Sequence, residues 1–180
     1  MQTTDELKPV DINEIAEMAE QCHAEKIYVH WTAGHYGQIY GDYHISIDHD
    51  GKIYLPFDNH DLDQYRQHTW MRNSGSIGIA LCGAYGAEAN HGWDADMGDE
   101  PITETQIEVA SVVIATICKH AGIPIDAVQT HCEAALEDGY GPYQGDPEIR
   151  WDLWFLRDNC DGQMKPGGEV LRGKARWYTR

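Results

Sequence analysis

The segment Lys26–Trp31, with the sequence KIYVHW, decides the fold that we expect. It is short and rich in β-branched and aromatic residues, and the flexible triplet 32–34 (TAG) follows it directly. An apolar run bounded by a turn signal is typical of a buried strand. His30 lies near the end of this predicted strand, so its side chain would lie at the rim of a sheet, where loops build sites.

The segments on either side alternate between helical and extended patterns. Apolar residues at helical spacing predict helices over residues 11–23 and 107–120, and we expect a closing helix over 148–159. Short apolar or alternating runs predict strands over residues 26–31, 43–48, 52–55, 76–83 and 127–130. Asp11 and Thr103 are the expected N-caps of the first two helices. This order predicts an α/β fold in which helices flank a mixed central β-sheet.

Length and composition predict one globular domain. The 180 residues are 42% hydrophobic and 24% charged, which suits a single hydrophobic core. We expect an N-terminal helical segment over residues 1–25, a principal domain over 26–160 and a basic tail over 161–180. The tail has five basic residues and two acidic ones, and we interpret it as a solvated extension, with contact to an anionic polymer as the alternative.

The charge excludes one class of partner. Acidic residues outnumber basic ones 30 to 13, for a net charge of −17, whereas nucleic-acid binding depends on Lys and Arg.

The five cysteines lack paired spacing, which indicates a reduced compartment. The polar N-terminus has no signal-peptide pattern, and no apolar stretch is long enough to span a membrane. We therefore expect a soluble chain synthesised in the cytoplasm.

Two of the ten histidines differ from the others. His30 and His131 each end a predicted strand, so both would project from the rim of the sheet, as metal ligands or as hydrogen-bonded edge residues. Four others lie in polar loops, where solvated side chains are expected: His35, His49, His60 and His91.

Six short motifs follow one another in a specific order. They are residues 29–33 (VHWTA), 42–45 (DYHI), 50–54 (DGKIY), 73–79 (NSGSIGI), 130–131 (TH), and 146–147 with 151–153 (DP and WDL). In this order they resemble the N-acetylmuramoyl-L-alanine amidase type 2 family, which also contains phage endolysins and peptidoglycan recognition proteins. The resemblance covers about residues 26–157. It implies that residues 26–160 form a zinc amidase domain cleaving the amide between N-acetylmuramic acid and L-alanine of the peptidoglycan stem peptide.

The resemblance also implies a ligand set for one Zn²⁺ ion. His30 and His131 would be two ligands and Asp146 the third, with residues 137–144 forming an inserted loop. Asp138 and Cys132 are the alternatives for the third position. Asp152 is expected to be structural, either a cap or a hydrogen-bonding partner of a ligand.

Further residues are assigned by the same resemblance. Tyr43 would orient water or stabilise the oxyanion, because Ala80 stands where some members have a glutamate. Gln144 stands where several members have a catalytic lysine, and His68 is the alternative for that role. The residues expected to bind sugar and peptide are Trp31, Tyr36, His68, Trp70 and Trp93.

The expected partner is bacterial peptidoglycan or its muropeptide fragments, without nucleic acid or membrane insertion. The favoured role is a phage or prophage endolysin that reaches the wall after holin-type release. A non-catalytic peptidoglycan-binding module and a cytoplasmic amidase that recycles muropeptides are the alternatives.

Overall fold

The computed structural model describes residues 1–145 and 150–180. Its helices and strands, in chain order, are β1 (Gln2–Thr3), α1 (Ile12–Glu20), β2 (Lys26–Trp31), β3 (Gln38–Ile39), β4 (Ile45–Ile47), β5 (Ile53–Tyr54), β6 (Ser76–Leu81), α2 (Glu104–Ala121), β7 (Val128–Thr130), α3 (His131–Asp138), β8 (Phe155–Arg157), β9 (Met164–Pro166) and α4 (Gly167–Tyr178).

A five-stranded mixed sheet forms the centre of the molecule. Its strand order is β5-β4-β6-β2-β7, and every neighbouring pair is parallel except β4 with β5. The predicted fold of helices flanking a mixed sheet is therefore confirmed. The strands β1 with β3 and β8 with β9 form two further antiparallel pairs.

The two central strands β2 and β6 are buried except at the first residue of β2. Every residue of β6 is buried, as is every residue of β2 except Lys26. Strands covered on both faces carry continuous apolar runs, which explains why β2 and β6 could be predicted. Because β2 and β7 are parallel neighbours, their carboxyl ends meet at one edge of the sheet.

The predicted helix caps are present. Asp11 and Thr103 both form capping boxes, with Glu14 and Gln106 respectively. The fully buried Gln106 also donates from Nε2 to the carbonyl oxygens of Ile47, the last residue of β4, and of Cys82, directly after β6, at 3.0 and 2.8 Å. This side chain therefore fixes the start of α2 against the sheet.

The expectations for the C-terminal third need correction. A helix over 148–159 is wrong for the described residues 150–159, because β8 lies there and pairs with β9. The interpretation of residues 161–180 as a solvated extension is also wrong, because α4 buries Val170, Leu171 and Ala175 and packs against α2. Helix α3 was not predicted, although Thr130 and Glu133 form a capping box at its start.

Over the described residues, none of the helices combines the length and the apolar character that membrane crossing requires.

Candidate active site

His30 and His131 meet at the carboxyl edge of the central sheet. His30 is the penultimate residue of β2, whereas His131 begins α3 directly after β7. The capping box of Thr130 turns the chain from β7 into α3 at this point. The two imidazole ring centres are 4.7 Å apart, and the side chains are 1% and 15% exposed. The structure thus brings together the two histidines singled out in the sequence.

Asp152 lies between these two rings. Its Oδ2 atom is 3.1 Å from His30 Nδ1, and its Oδ1 atom is 3.0 Å from His131 Nδ1. The resemblance implied that Asp152 is a cap or a hydrogen-bonding partner of a ligand, and the structure places it against both predicted histidine ligands, one of them 122 residues away. We call His30, His131 and Asp152 the His-His-Asp cluster.

The His-His-Asp cluster has the donor set of a zinc site. Two imidazole nitrogens and one carboxylate oxygen lie within 4.8 Å of one another. Ligands of a tetrahedral zinc ion, at metal–ligand distances of about 2.0–2.1 Å, lie roughly 3.3 Å apart, close to the observed separations. His131 Nε2 is buried and has no hydrogen-bond partner among residues 1–145 and 150–180. The cluster therefore fits a divalent metal ion.

Charge is unevenly distributed over the cluster. Burial alone would raise the pKa of Asp152, but the charge of His131 and its hydrogen bond to the carboxylate outweigh burial and hold this pKa well below its usual range. Burial lowers the pKa of His30. Burial opposes protonation of His131 as well, yet Asp152 raises its pKa overall. The cluster consequently presents an ionised carboxylate to any cation.

Asp146 was the predicted third ligand, with Asp138 and Cys132 as the alternatives. Asp146 lies outside the described residues. Asp138 forms an ion pair with Arg72, with an N–O distance of 2.6 Å. Cys132 is buried, and burial raises the pKa of its thiol, which keeps it neutral. Among the described residues, the His-His-Asp cluster is the one group found with the composition and spacing of a metal site.

A second set of buried polar groups adjoins His30. His30 Nε2 is 3.2 Å from Thr69 Oγ1, which is 2.9 Å from His68 Nδ1. Burial and the neighbouring His30 and His44 lower the pKa of His68 to about 2, so its ring is neutral. His68, predicted to help catalysis or bind substrate, is therefore linked to His30 through the Thr69 hydroxyl.

The two predicted catalytic helpers are placed differently. The Tyr43 ring centre is 5.1 Å from that of His30, and burial raises the pKa of this phenol, which stays protonated. The Gln144 amide instead donates to the Leu136 carbonyl oxygen at 3.1 Å and accepts from the Gly141 N–H at 2.7 Å. Both ends of that amide are thus used in the turn after α3.

One cavity opens beside the cluster. It has a volume of about 570 Å³, and its lining includes His131, His68, Trp70 and Arg150. Trp70 is 63% exposed, so its indole is available to a ligand in this cavity. We call it the Trp70 cavity.

The other predicted binding aromatics lie away from the Trp70 cavity. Trp31 is 7% exposed and packs edge-to-face on Trp151. Tyr36 stacks on His49 and donates its hydroxyl to the Pro101 carbonyl oxygen. Trp93 lines a separate cavity of about 340 Å³. Of the five predicted binding residues, the structure brings His68 and Trp70 to the cavity beside the cluster.

Fold and cluster together define an α/β protein with a candidate metal centre at the edge of its sheet. The sequence profile of the N-acetylmuramoyl-L-alanine amidase family matches residues 15–147, which is more than half of the chain. The chain belongs to this family.

Several solved structures are similar to the chain. The endolysin N-acetylmuramoyl-L-alanine amidase LysCS from Clostridium intestinale URNW is 17% identical, with 63% of this chain and 72% of that one covered and a TM-score of 0.43. A mutant form of PlyL is 16% identical, with 86% of each chain covered and a TM-score of 0.47. A complex of the peptidoglycan recognition proteins LCa and LCx with tracheal cytotoxin is 16% identical, with 72% and 80% covered and a TM-score of 0.46. No curated protein sequence matches the chain significantly.

Proposed function

We propose that this protein is a zinc-dependent amidase that cleaves the bond between N-acetylmuramic acid and L-alanine in peptidoglycan. The observation that carries the proposal is the convergence of His30, His131 and Asp152 beside the Trp70 cavity. Membership of the amidase family supports the choice of bond.

His30, His131 and Asp152 would hold the metal ion in this proposal. Asp146 remains the third ligand implied by the motif comparison and is tested beside Asp152. When bound, zinc polarises the scissile carbonyl and lowers the pKa of a coordinated water from about 15.7 towards about 7.

The protein's own side chains would orient the metal ligands, stabilise the oxyanion and bind the substrate. The Asp152 carboxylate places one oxygen atom beside Nδ1 of each imidazole. Tyr43, with its proton retained at neutral pH, is the proposed donor to the oxyanion that develops on the carbonyl. Trp70 would stack on the sugar or on the stem peptide in the cavity. The catalytic role of Gln144 stays a prediction that rests only on the resemblance of the sequence motifs to the family.

Wall lysis is the role that we propose, because the amide between N-acetylmuramic acid and L-alanine, after which the family is named, is a bond of the wall polymer. A recycling amidase would act on soluble muropeptides and leave sacculi intact. A non-catalytic binding module would retain peptidoglycan without releasing peptide. The three roles therefore differ in whether sacculi or only soluble muropeptides are cleaved, and in whether peptide is released at all.

The experiment measures zinc content and product release on the same protein samples. Wild type, Asp152→Asn, Asp146→Asn and the control Asp161→Asn, which alters an exposed ion pair with Lys165, are incubated with sacculi and with soluble muropeptides. The proposal expects about one zinc per chain and new alanine amino groups without new reducing sugar ends in the wild type and the control. Loss of zinc in only one of the two site variants identifies the third ligand. Stoichiometric zinc without peptide release from either substrate would refute the amidase.

A further inference from the structure

A row of buried polar side chains leads away from His30, and the chemistry proposed above does not use it. Thr69, His68 and Ser76 are 1%, 7% and 5% exposed. They follow one another from His30 Nε2, with separations of 3.2 Å to Thr69 Oγ1, 2.9 Å on to His68 Nδ1 and 3.5 Å from His68 Nε2 to Ser76 Oγ. We call these three residues the hydrogen-bond relay.

The direction of the relay is set at Ser76. Its hydroxyl has one proton, and that proton is donated to the carbonyl oxygen of Arg72 at 2.7 Å or of Asn73 at 3.0 Å. Because the only Ser76 hydroxyl proton is used in this bond, the Ser76 oxygen can only accept a hydrogen bond from His68. The neutral His68 ring therefore carries its proton on Nε2.

The remaining protons follow in sequence. His68 Nδ1 is bare and accepts from the Thr69 hydroxyl, which uses its single proton there. The Thr69 oxygen must then accept from His30 Nε2–H. This leaves Nδ1 of His30 without a proton, 3.1 Å from the ionised carboxylate of Asp152. Two acceptors that face each other at this distance are stabilised by a cation that binds both.

We propose that Thr69, supported by His68 and Ser76, is a positioning residue that holds His30 in the tautomer able to bind a metal ion through Nδ1. The inference rests on the proposed zinc site. Ligating histidines are commonly fixed by a hydrogen bond from their other ring nitrogen, and here a buried hydroxyl supplies the acceptor.

Two further features hold the relay in place. The Asn73 side-chain oxygen accepts from the backbone N–H groups of His68 and Thr69, at 3.0 and 2.8 Å. Gly78 on β6 leaves room for the His68 ring, since a Cβ atom there would lie 2.6 Å from His68 Cγ. The relay is thus fixed by both its backbone and its packing.

The first test compares zinc affinity in three variants by competition with a chromophoric chelator. Thr69→Val removes the hydroxyl at nearly constant volume, and we expect it to weaken zinc binding by about 10- to 100-fold. Thr69→Ser keeps the hydroxyl and should restore most of the affinity. Thr116→Val removes a helical hydroxyl that bonds to the Val112 carbonyl and serves as the matched control. Wild-type affinity in Thr69→Val would overturn the positioning role while leaving the proposed function intact.

The second test needs no zinc. Nitrogen-15 NMR of the metal-free protein reports which ring nitrogen of His30 carries the proton. We expect Nε2–H in wild type and Thr69→Ser, and a shift to Nδ1–H, donated to Asp152, in Thr69→Val. If the wild type binds no zinc, the proposed function is wrong, and the position of the proton on the His30 ring alone then tests the role of the relay. Nδ1–H at His30 in the wild type would overturn it.

Discussion

Acid should destabilise the protein through His44, a fully buried imidazole whose two nitrogens are both engaged. Its Nδ1 accepts from the Gly78 N–H at 2.9 Å, and its Nε2 donates to the Gln64 carbonyl oxygen at 2.6 Å. A second proton would have to displace the Gly78 bond. Burial lowers the pKa of His44 from 6.5 to about 4, with a smaller contribution from the charge of Arg66 and against the hydrogen bond to Gln64.

The sign and size of the effect follow from the two pKa values. At neutral pH and above, His44 is mostly neutral in both the folded and the unfolded chain and contributes no pH dependence. As the pH falls from 6.5 to about 4, the unfolded chain binds a proton that the folded chain refuses, so the free energy of unfolding decreases. A pKa difference of roughly 2.5, at about 1.4 kcal/mol for each unit, corresponds to a loss of about 3 kcal/mol.

The assay is urea denaturation of wild type and His44→Gln between about pH 8 and about pH 4. The variant lacks the titrating ring. The free energy of unfolding of the wild type minus that of the variant should therefore decrease by about 3 kcal/mol as the pH is lowered over this range. His60→Gln, at an exposed histidine, is the matched control for the loss of an imidazole. Parallel curves for wild type and His44→Gln would refute the reasoning, because they would mean that His44 titrates alike in both states.

Three other predictions concern substitutions of single residues. Tyr43→Phe should lower the turnover of peptidoglycan by about 10²- to 10³-fold, as for loss of an oxyanion donor, with zinc content unchanged; an unaltered rate would remove Tyr43 from the mechanism. Leu171→Ala should cost about 2–5 kcal/mol in thermal or urea unfolding, because Leu171 is fully buried, and a cost near zero would contradict the packing of α4. Gly78→Ala should destabilise by about 1–3 kcal/mol through its clash with the His68 ring. Gly173→Ala, where an added Cβ meets nothing within 4 Å, should show no such loss.

The parts of the fold that depend on local sequence were predictable. Asp11 and Thr103 cap helices because their side chains bond to nearby backbone groups, and the apolar runs of β2 and β6 are sufficient to indicate buried strands. The extended structure at β8 was not predictable, since it depends on pairing with β9, a segment without a strand pattern of its own. The sequence of residues 150–159 alone could not reveal that partner.

The site was predictable to a similar degree. His30 and His131 end predicted strands, and the parallel pairing of β2 and β7 places both at one edge of the sheet. Asp152 is 122 residues from His30, and Thr69 lies in a loop with no periodic pattern, so their contacts depend on tertiary structure. For α3, the signal was present in Thr130 and Glu133 but was obscured by the adjoining strand.

The C-terminal segment bears directly on the position of Asp152. Leu153, the next residue, has a left-handed backbone with φ of 59°, a conformation that costs roughly 1–3 kcal/mol for a residue other than glycine. Its side chain is fully buried, and its carbonyl oxygen lies so close to Gly167 that a Cβ there would be 2.0 Å away. The Gly167 N–H in turn donates to the Trp154 carbonyl oxygen at 3.0 Å. Because α4 begins at Gly167, its packing keeps this strained turn in place. The family match ends at residue 147, yet the support for the carboxylate between the two histidines extends beyond it, so loosening α4 should weaken metal binding as well as stability.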